Sequence, residues 1–269
     1  MIFASAFTIS VAQNDSVTCQ FILENNIYSC RIVDTIIPES ANRPILVEGS
    51  LPLGRSDDDV AAVRIRNGHI PFVINELFVR FANVFRLIVE PSPLNGLSRI
   101  QTGAFEHAGN LQWILIGNNP LTTIQANAFH GASSLRTVDL RNNQIQRISV
   151  FAFNGLSNLR DLMLENNRIF SIQGNLFKPL TNIELIYLSN NKIESFEGRT
   201  FSNNRQLRHV DFTRNPIQEI ESSVLDNLEN LQIFIAAENS CVSNAWIVAS
   251  LNTIREGLSA CFENFENIV

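Results

Sequence analysis

The sequence predicts an α/β-class solenoid, a stack of near-identical units closed at each end by a small disulfide-bonded cap. Three observations predict it. One set of apolar offsets returns every 24 residues between positions 60 and 240. Within each unit the first apolar residues alternate with variable ones, at the period of a strand. The four cysteines fall in two pairs that flank the repeated region.

The first element is the run MIFASAFTISVA. It is apolar and ends in Ser10-Val11-Ala12, small residues suited to signal peptidase, so residues 1–12 read as a secretory signal cleaved after Ala12. No later run approaches the roughly 20 apolar residues of a membrane-spanning helix. Asn14-Asp15-Ser16 is a glycosylation sequon, which places a candidate glycan on Asn14.

Residues 13–59 read as an N-terminal cap. In CQFILENNIYSCRI, Cys19, Phe21 and Leu23 alternate, as do Tyr28, Cys30 and Ile32. A hairpin in which Cys19 faces Cys30 and Phe21 faces Tyr28 puts Glu24-Asn25 at the turn and closes a Cys19–Cys30 disulfide. The acidic run Asp57-Asp58-Asp59 behind it reads as a solvated loop.

Units begin at Val60, Val84, Leu111, Leu135, Leu159, Ile183 and Leu207, with a partial eighth from Leu231. Only the step from Val84 to Leu111 is longer, at 27 residues, and the extra three residues are placed around EPSPLNG. In the unit from Leu135, the apolar Val138 and Leu140 flank Asp139. That makes a short strand with one buried side, followed by a segment that returns the chain to the next strand. No unit buries its apolar face alone, so the stack folds as a one-dimensional array. Two further constants follow from stacking. Asn119, Asn143, Asn167, Asn191, Asn215 and Asn239 stand where the chain leaves the strand, and an amide there satisfies turn backbone in two adjacent units. Phe78, Phe105, Phe129, Phe153, Phe177 and Phe201, followed by Leu225, fill the side opposite the strands.

Residues 241–269 read as a C-terminal helical cap. Trp246, Ile247, Leu251, Ile254 and Leu258 fall at helical spacing, and Cys261 returns to Cys241. Paired cysteines at both ends fit an oxidising, extracellular compartment.

The unit LxxLxLxxNxLxxIxxxxFxxLxx resembles the 24-residue typical class of extracellular leucine-rich repeats, as in Toll ectodomains, Slit and small matrix proteoglycans. The match is strongest from Leu111 to Asn239. It implies a curved solenoid whose parallel sheet lines the concave face. A weaker resemblance, resting on the cysteine-capped ends and the first unit IRNGHIPFVINELFVRFAN, is to soluble insect leucine-rich immune proteins. Those proteins imply immune-factor partners held through spare cysteines and a coiled coil, neither of which this chain carries.

A net charge of −6 and a pI near 5.3 argue against nucleic acid. No P-loop, GxGxxG, HExxH or GxSxG motif is present, so neither enzyme activity nor cofactor nor metal is expected. Information about function is left to the outward positions of the strands. These are Ile88, Trp113, Leu115, Asp139, Arg141, Asp161, Met163, Leu185, Tyr187, His209 and Asp211. Aromatic, Met and Arg side chains on one face are the usual anchors of a protein interface. The reading is a secreted protein that binds extracellular proteins, immune factors or a microbial surface there. An adhesion, matrix or signalling role is the alternative, and burial of the same face in a homodimer is a third.

Overall fold

The computed structural model describes residues 10–11, 16–38, 44–92, 96–242, 244–247 and 249–266. Most of the expected signal segment, and Asn14, lie outside the described residues. Eleven strands form one sheet, and their order in space is their order in the chain. They are β1 (Gln20–Glu24), β2 (Ile27–Val33), β3 (Ala62–Arg66), β4 (Arg86–Val89), β5 (Trp113–Leu115), β6 (Thr137–Asp139), β7 (Asp161–Met163), β8 (Leu185–Tyr187), β9 (His209–Asp211), β10 (Ile233–Ile235) and β11 (Ala245–Ile247). From β2 to β10 every pairing is parallel, and only β1 and β11 run against their neighbours. Equivalent residues pair across units, so Thr137 lies between Trp113 and Asp161, and Asp139 between Leu115 and Met163.

The constant residues form a continuous core. Leu135, Val138, Leu140, Ile145 and Phe153 are fully buried, as are their counterparts in neighbouring units. Each ladder asparagine bridges two units. Asn143 Nδ2 donates to its own Leu140 carbonyl at 2.9 Å and to Ile116 of the preceding unit at 3.0 Å. Its Oδ1 accepts from the Leu121 N–H at 3.2 Å. Asn167, Asn191 and Asn215 repeat the arrangement. The preceding asparagines have a separate role. Asn118, Asn142, Asn166 and Asn190 adopt φ between 54° and 60°, a left-handed bend that asparagine tolerates better than most residues.

The same bonds locate the insertion. Asn119 donates to Val89 and accepts from Leu97, where the regular spacing would have offered residue 94. The three extra residues therefore lie between Val89 and Leu97, and 93–95 are outside the described residues.

On the side opposite the sheet, the rings of Phe105, Phe129, Phe153, Phe177 and Phe201 stack with centroids 5.7–6.5 Å apart. Adjacent strands sit only about 4.8 Å apart. A stack with the longer repeat on its phenylalanine side bends with the sheet on the inner, concave face.

Both caps carry their disulfides, Cys19–Cys30 and Cys241–Cys261, with Cα atoms 5.0 and 5.2 Å apart. Two expectations need correction. The hairpin register is shifted by two: Phe21 faces Cys30, Leu23 faces Tyr28, and the turn is Asn25-Asn26, not Glu24-Asn25. Both turn asparagines have positive φ, 49° and 63°, as a tight right-twisted hairpin requires. The disulfide therefore runs diagonally across the pair. At the other end Trp246 and Ile247 are in strand β11, not in a helix. β11 closes the sheet edge, burying Trp246 (7% exposed) and leaving Ile247 outward (67%). Helices α2 (Leu251–Gly257) and α3 (Ser259–Glu266) follow. Gly257 is needed here because a Cβ on it would meet the Trp246 ring at 2.2 Å.

The described residues 44–59 of the N-terminal cap make regular contacts. Leu46–Glu48 pairs with Ser16–Thr18. Asp57 holds Arg80 at 3.2 Å, and Asp59 accepts from the Ser56 N–H at 2.8 Å. These carboxylates tie the cap to helix α1 (Glu76–Arg80) of the first unit and to its own turn.

Candidate functional site

The candidate site is the outward face of β3–β10. Its side chains form a grid, because strand register sets rows of equivalent positions and alternation sets columns two residues apart. The face divides into three regions.

At the N-terminal end Arg64, Arg66 and Arg86 predominate. Arg64 and Arg66 bond Glu90 at 2.8 and 3.4 Å. The next region is apolar and aromatic. Ile88 pairs with Leu115, and Trp113 packs edge-on against Phe85 at 5.5 Å, with the Arg86 guanidinium 5.2 Å from its ring. Phe85 and Arg86 extend this cluster beyond the outward Ile88, Trp113 and Leu115. The signal was available, since a Phe-Arg pair enters the strand in this unit alone.

The third region is acidic and carries the other aromatic group. Asp139 is only 7% exposed, because Arg141 lies over it and bonds both carboxylate oxygens at 2.8–3.0 Å. That ion pair raises the pKa of Arg141 further. Asp139 takes the outward position expected of it, and its charge is occupied by its own neighbour. Arg141 also lies 3.8 Å from Glu165 and 3.6 Å from Met163 Sδ. Thr137 Oγ1 donates to Asp161 Oδ2 at 2.9 Å. Tyr187 stands in the middle of this region. Met163 and Asp211 are its direct neighbours, and the His209 ring lies 4.8 Å from its own. Leu185 sits between Asp161 and His209.

Electrostatics follow from this crowding. Burial, then the nearby Asp161, Glu165 and Asp211 carboxylates, push the Tyr187 phenol up. Burial also raises the Glu165 carboxyl; a bond from its own backbone and the nearby Arg141 oppose the rise, and Asp139 and Asp211 add to it. The His209 imidazole is lowered by burial, and Asp211 only partly opposes that. Two polar atoms here, Glu165 Oε2 and His209 Nε2, are shut from solvent with no hydrogen-bond partner. Glu165 was missed by the sequence reading as a site residue, although it occupies an outward position of its unit. Among the described residues no three or more His, Cys, Asp and Glu side chains converge to hold a metal ion.

Stacked 24-residue units, an asparagine ladder and a phenylalanine spine define a leucine-rich-repeat solenoid. The family description "BspA type Leucine rich repeat region" matches in six copies over residues 98–232, half of the chain, and the chain belongs to this leucine-rich-repeat family. No curated protein sequence matches it. Two solved structures are similar in fold. The first is TLR13 in complex with ssRNA13, with a TM-score of 0.63 and 22% identity over 70% of this chain and 26% of that one. The second is Drosophila Toll in complex with Spatzle, with a TM-score of 0.60 and 24% identity over 79% of this chain and 32% of that one. The chain thus spans only about a quarter to a third of those proteins. Among its described residues no helix is long and apolar enough to cross a membrane.

Proposed function

We propose that this chain is a secreted, non-enzymatic recognition protein of innate-immune type that binds an extracellular protein through the concave sheet face. One observation carries the reading. Position by position the units repeat the same core, yet on the outward face they present Trp113, Met163, Tyr187 and His209, all part-exposed, beside unlike charges. Large adaptable side chains held on a rigid sheet are what interface anchors require. Disulfides at both ends support an oxidising, extracellular setting. The fold likeness to Toll in its Spatzle complex favours a protein ligand. The RNA of the TLR13 complex suits this chain poorly, because net charge is −6 and Asp139, Asp161, Glu165 and Asp211 outnumber Arg141 on the central face. The non-enzymatic reading is supported by His209, the sole histidine among the proposed site residues, which packs on Tyr187 and makes no hydrogen bond through Nε2 to a nucleophile.

The test is affinity capture from extracellular fluid followed by binding of the purified partner to Trp113→Ser and Tyr187→Ser. Each variant should weaken binding by about tenfold or more, as truncated interface anchors do. Unchanged affinity in both, with the circular dichroism spectrum intact, would remove the sheet face as the site.

A further inference from the structure

A cavity of about 440 Å³ runs along the edge of the sheet at which β5–β8 begin. Two rows of polar side chains line it. Gln112, Arg136, Arg160 and Glu184 each stand immediately before a strand. Ser134, Asn158, Asn182 and Gln206 form the other row, two residues further back in their units. Leu135, Leu159 and Ile183, which separate the rows, are fully buried, so the residues on either side of them turn outward. The second row belongs to a ladder. Asn83, Asn110, Asn158, Asn182 and Asn230 each donate Nδ2 to a backbone carbonyl 25–28 residues earlier, at 2.8–3.1 Å. Ser134 and Gln206 interrupt that series, and they are the two ends of the row within the cavity. Ser134 fills less of the space beside Arg136 than asparagine would. Charge along the first row is unbalanced. Glu184 lies 3.3 Å from Arg160 and 3.6 Å from Arg208, so one carboxylate serves two guanidinium groups. Arg136 meets no carboxylate and makes no side-chain hydrogen bond among the described residues. The backbone N–H groups of Arg136, Arg160 and Glu184 are already given to the preceding unit at 2.8–2.9 Å. Side chains alone are left to read a ligand.

We propose that this cavity binds an acidic oligosaccharide, with a sugar carboxylate on Arg136 and ring hydroxyls on the amide row. A free guanidinium takes a carboxylate through two parallel bonds. Asn158 and Asn182 spend Nδ2 on the backbone and keep Oδ1 to accept from hydroxyls, while Gln112 and Gln206 offer a donor and an acceptor each. No apolar or aromatic side chain lines the cavity, so it has neither a seat for a protein's apolar anchor nor a ring on which a nucleobase could stack. One unmatched cation among amides suits a hydroxyl-rich chain with spaced charges better than a phosphate backbone, which rewards clustered cations. The site stands apart from the protein-binding reading, because none of its residues is on the outward sheet face.

The probe is fluorescein-labelled hexagalacturonate, followed by anisotropy with the full chain. Maltohexaose supplies hydroxyls without charge, hexaglutamate carboxylates without hydroxyls, and a thymidine hexanucleotide phosphates with bases. Hexagalacturonate should bind at least tenfold more tightly than any of the three. Arg136→Gln should weaken it by about tenfold, as loss of a charge-assisted bond does, while Arg168→Gln, away from the cavity, leaves it unchanged. Ser134→Asn restores the ladder residue, so it keeps the fold while narrowing the space beside Arg136, and it should weaken binding as well. Hexagalacturonate binding that is undetectable, or unchanged in both Arg136→Gln and Ser134→Asn, overturns the proposal. Equal binding of maltohexaose, hexaglutamate or the hexanucleotide overturns it too, in favour of a neutral sugar, simple charge attraction or nucleic acid respectively. None of these outcomes bears on the sheet face, which is tested through Trp113 and Tyr187.

Discussion

Asn143 illustrates how a single side chain serves two units. Its amide donates to carbonyls on both sides of the unit boundary and receives the Leu121 N–H. Replacing it by alanine leaves that buried N–H with no acceptor and takes a donor from two carbonyls. Asn143→Ala should cost about 2–3 kcal/mol, read as a lower midpoint in denaturant unfolding. Glu165 should behave oppositely. Its folded pKa is raised above the unfolded value, mainly by burial. Between those two values the folded state holds the proton more tightly, so stability declines as pH rises, and the penalty is complete above the folded pKa. Glu165→Gln should therefore raise the melting temperature at neutral pH. The gain should shrink as pH falls through the folded pKa toward the ordinary glutamate value. A residue that weakens the fold while facing outward is what a binding role predicts and a structural role does not. Asp139 teaches the reverse lesson. It stands at an outward position, but Arg141 is two residues on, on the same side of the chain, and the pair closes on itself. Spacing alone showed which way Asp139 points; it did not show that its charge is already matched.

Elements were legible to the extent that stacking repeats their environment. β5–β10, the asparagine ladder and the phenylalanine spine recur at one spacing because each unit meets a copy of itself, so their positions follow from the offsets. The caps meet nothing like themselves, and there the sequence reading slipped. The hairpin register moved by two residues, a shift that keeps every side chain on its original face and is therefore invisible to alternation. Turn chemistry decides it instead, since Asn25 and Asn26 both take positive φ where Glu24 would be strained. At the C-terminus, Trp246 and Ile247 fit a helical period, but the open edge of β10 needs a strand to pair with, and that tertiary demand prevails. The diagonal Cys19–Cys30 bridge cross-links the N-terminal hairpin, whose β2 pairs with β3. The double change Cys19→Ser and Cys30→Ser should cost about 2–4 kcal/mol. The loss should show first as faster amide exchange in β1 and β2, with β6–β9 unaffected, because array proteins fray from the ends.

At the scale of the whole molecule the chain separates into two kinds of position. Inward constants build a curved solenoid and are nearly interchangeable between units. Outward positions on the sheet differ from unit to unit and present one aromatic patch around Trp113 and one aromatic and acidic patch around Tyr187. The first kind was almost fully legible from the period. The outward positions were legible as places, but their pairing was not, since which carboxylate remains free depends on contacts such as Arg141 with Asp139 and Thr137 with Asp161. Hydroxyl-radical footprinting of the chain with and without its captured partner tests this division most directly, because Trp113, Met163, Tyr187 and His209 are themselves the reactive reporters. Partner binding should protect those four side chains and leave Phe151 and Phe170, exposed off the sheet, as reactive as before. Protection of Phe151 and Phe170, with the four face residues still open to oxidation, would contradict the account.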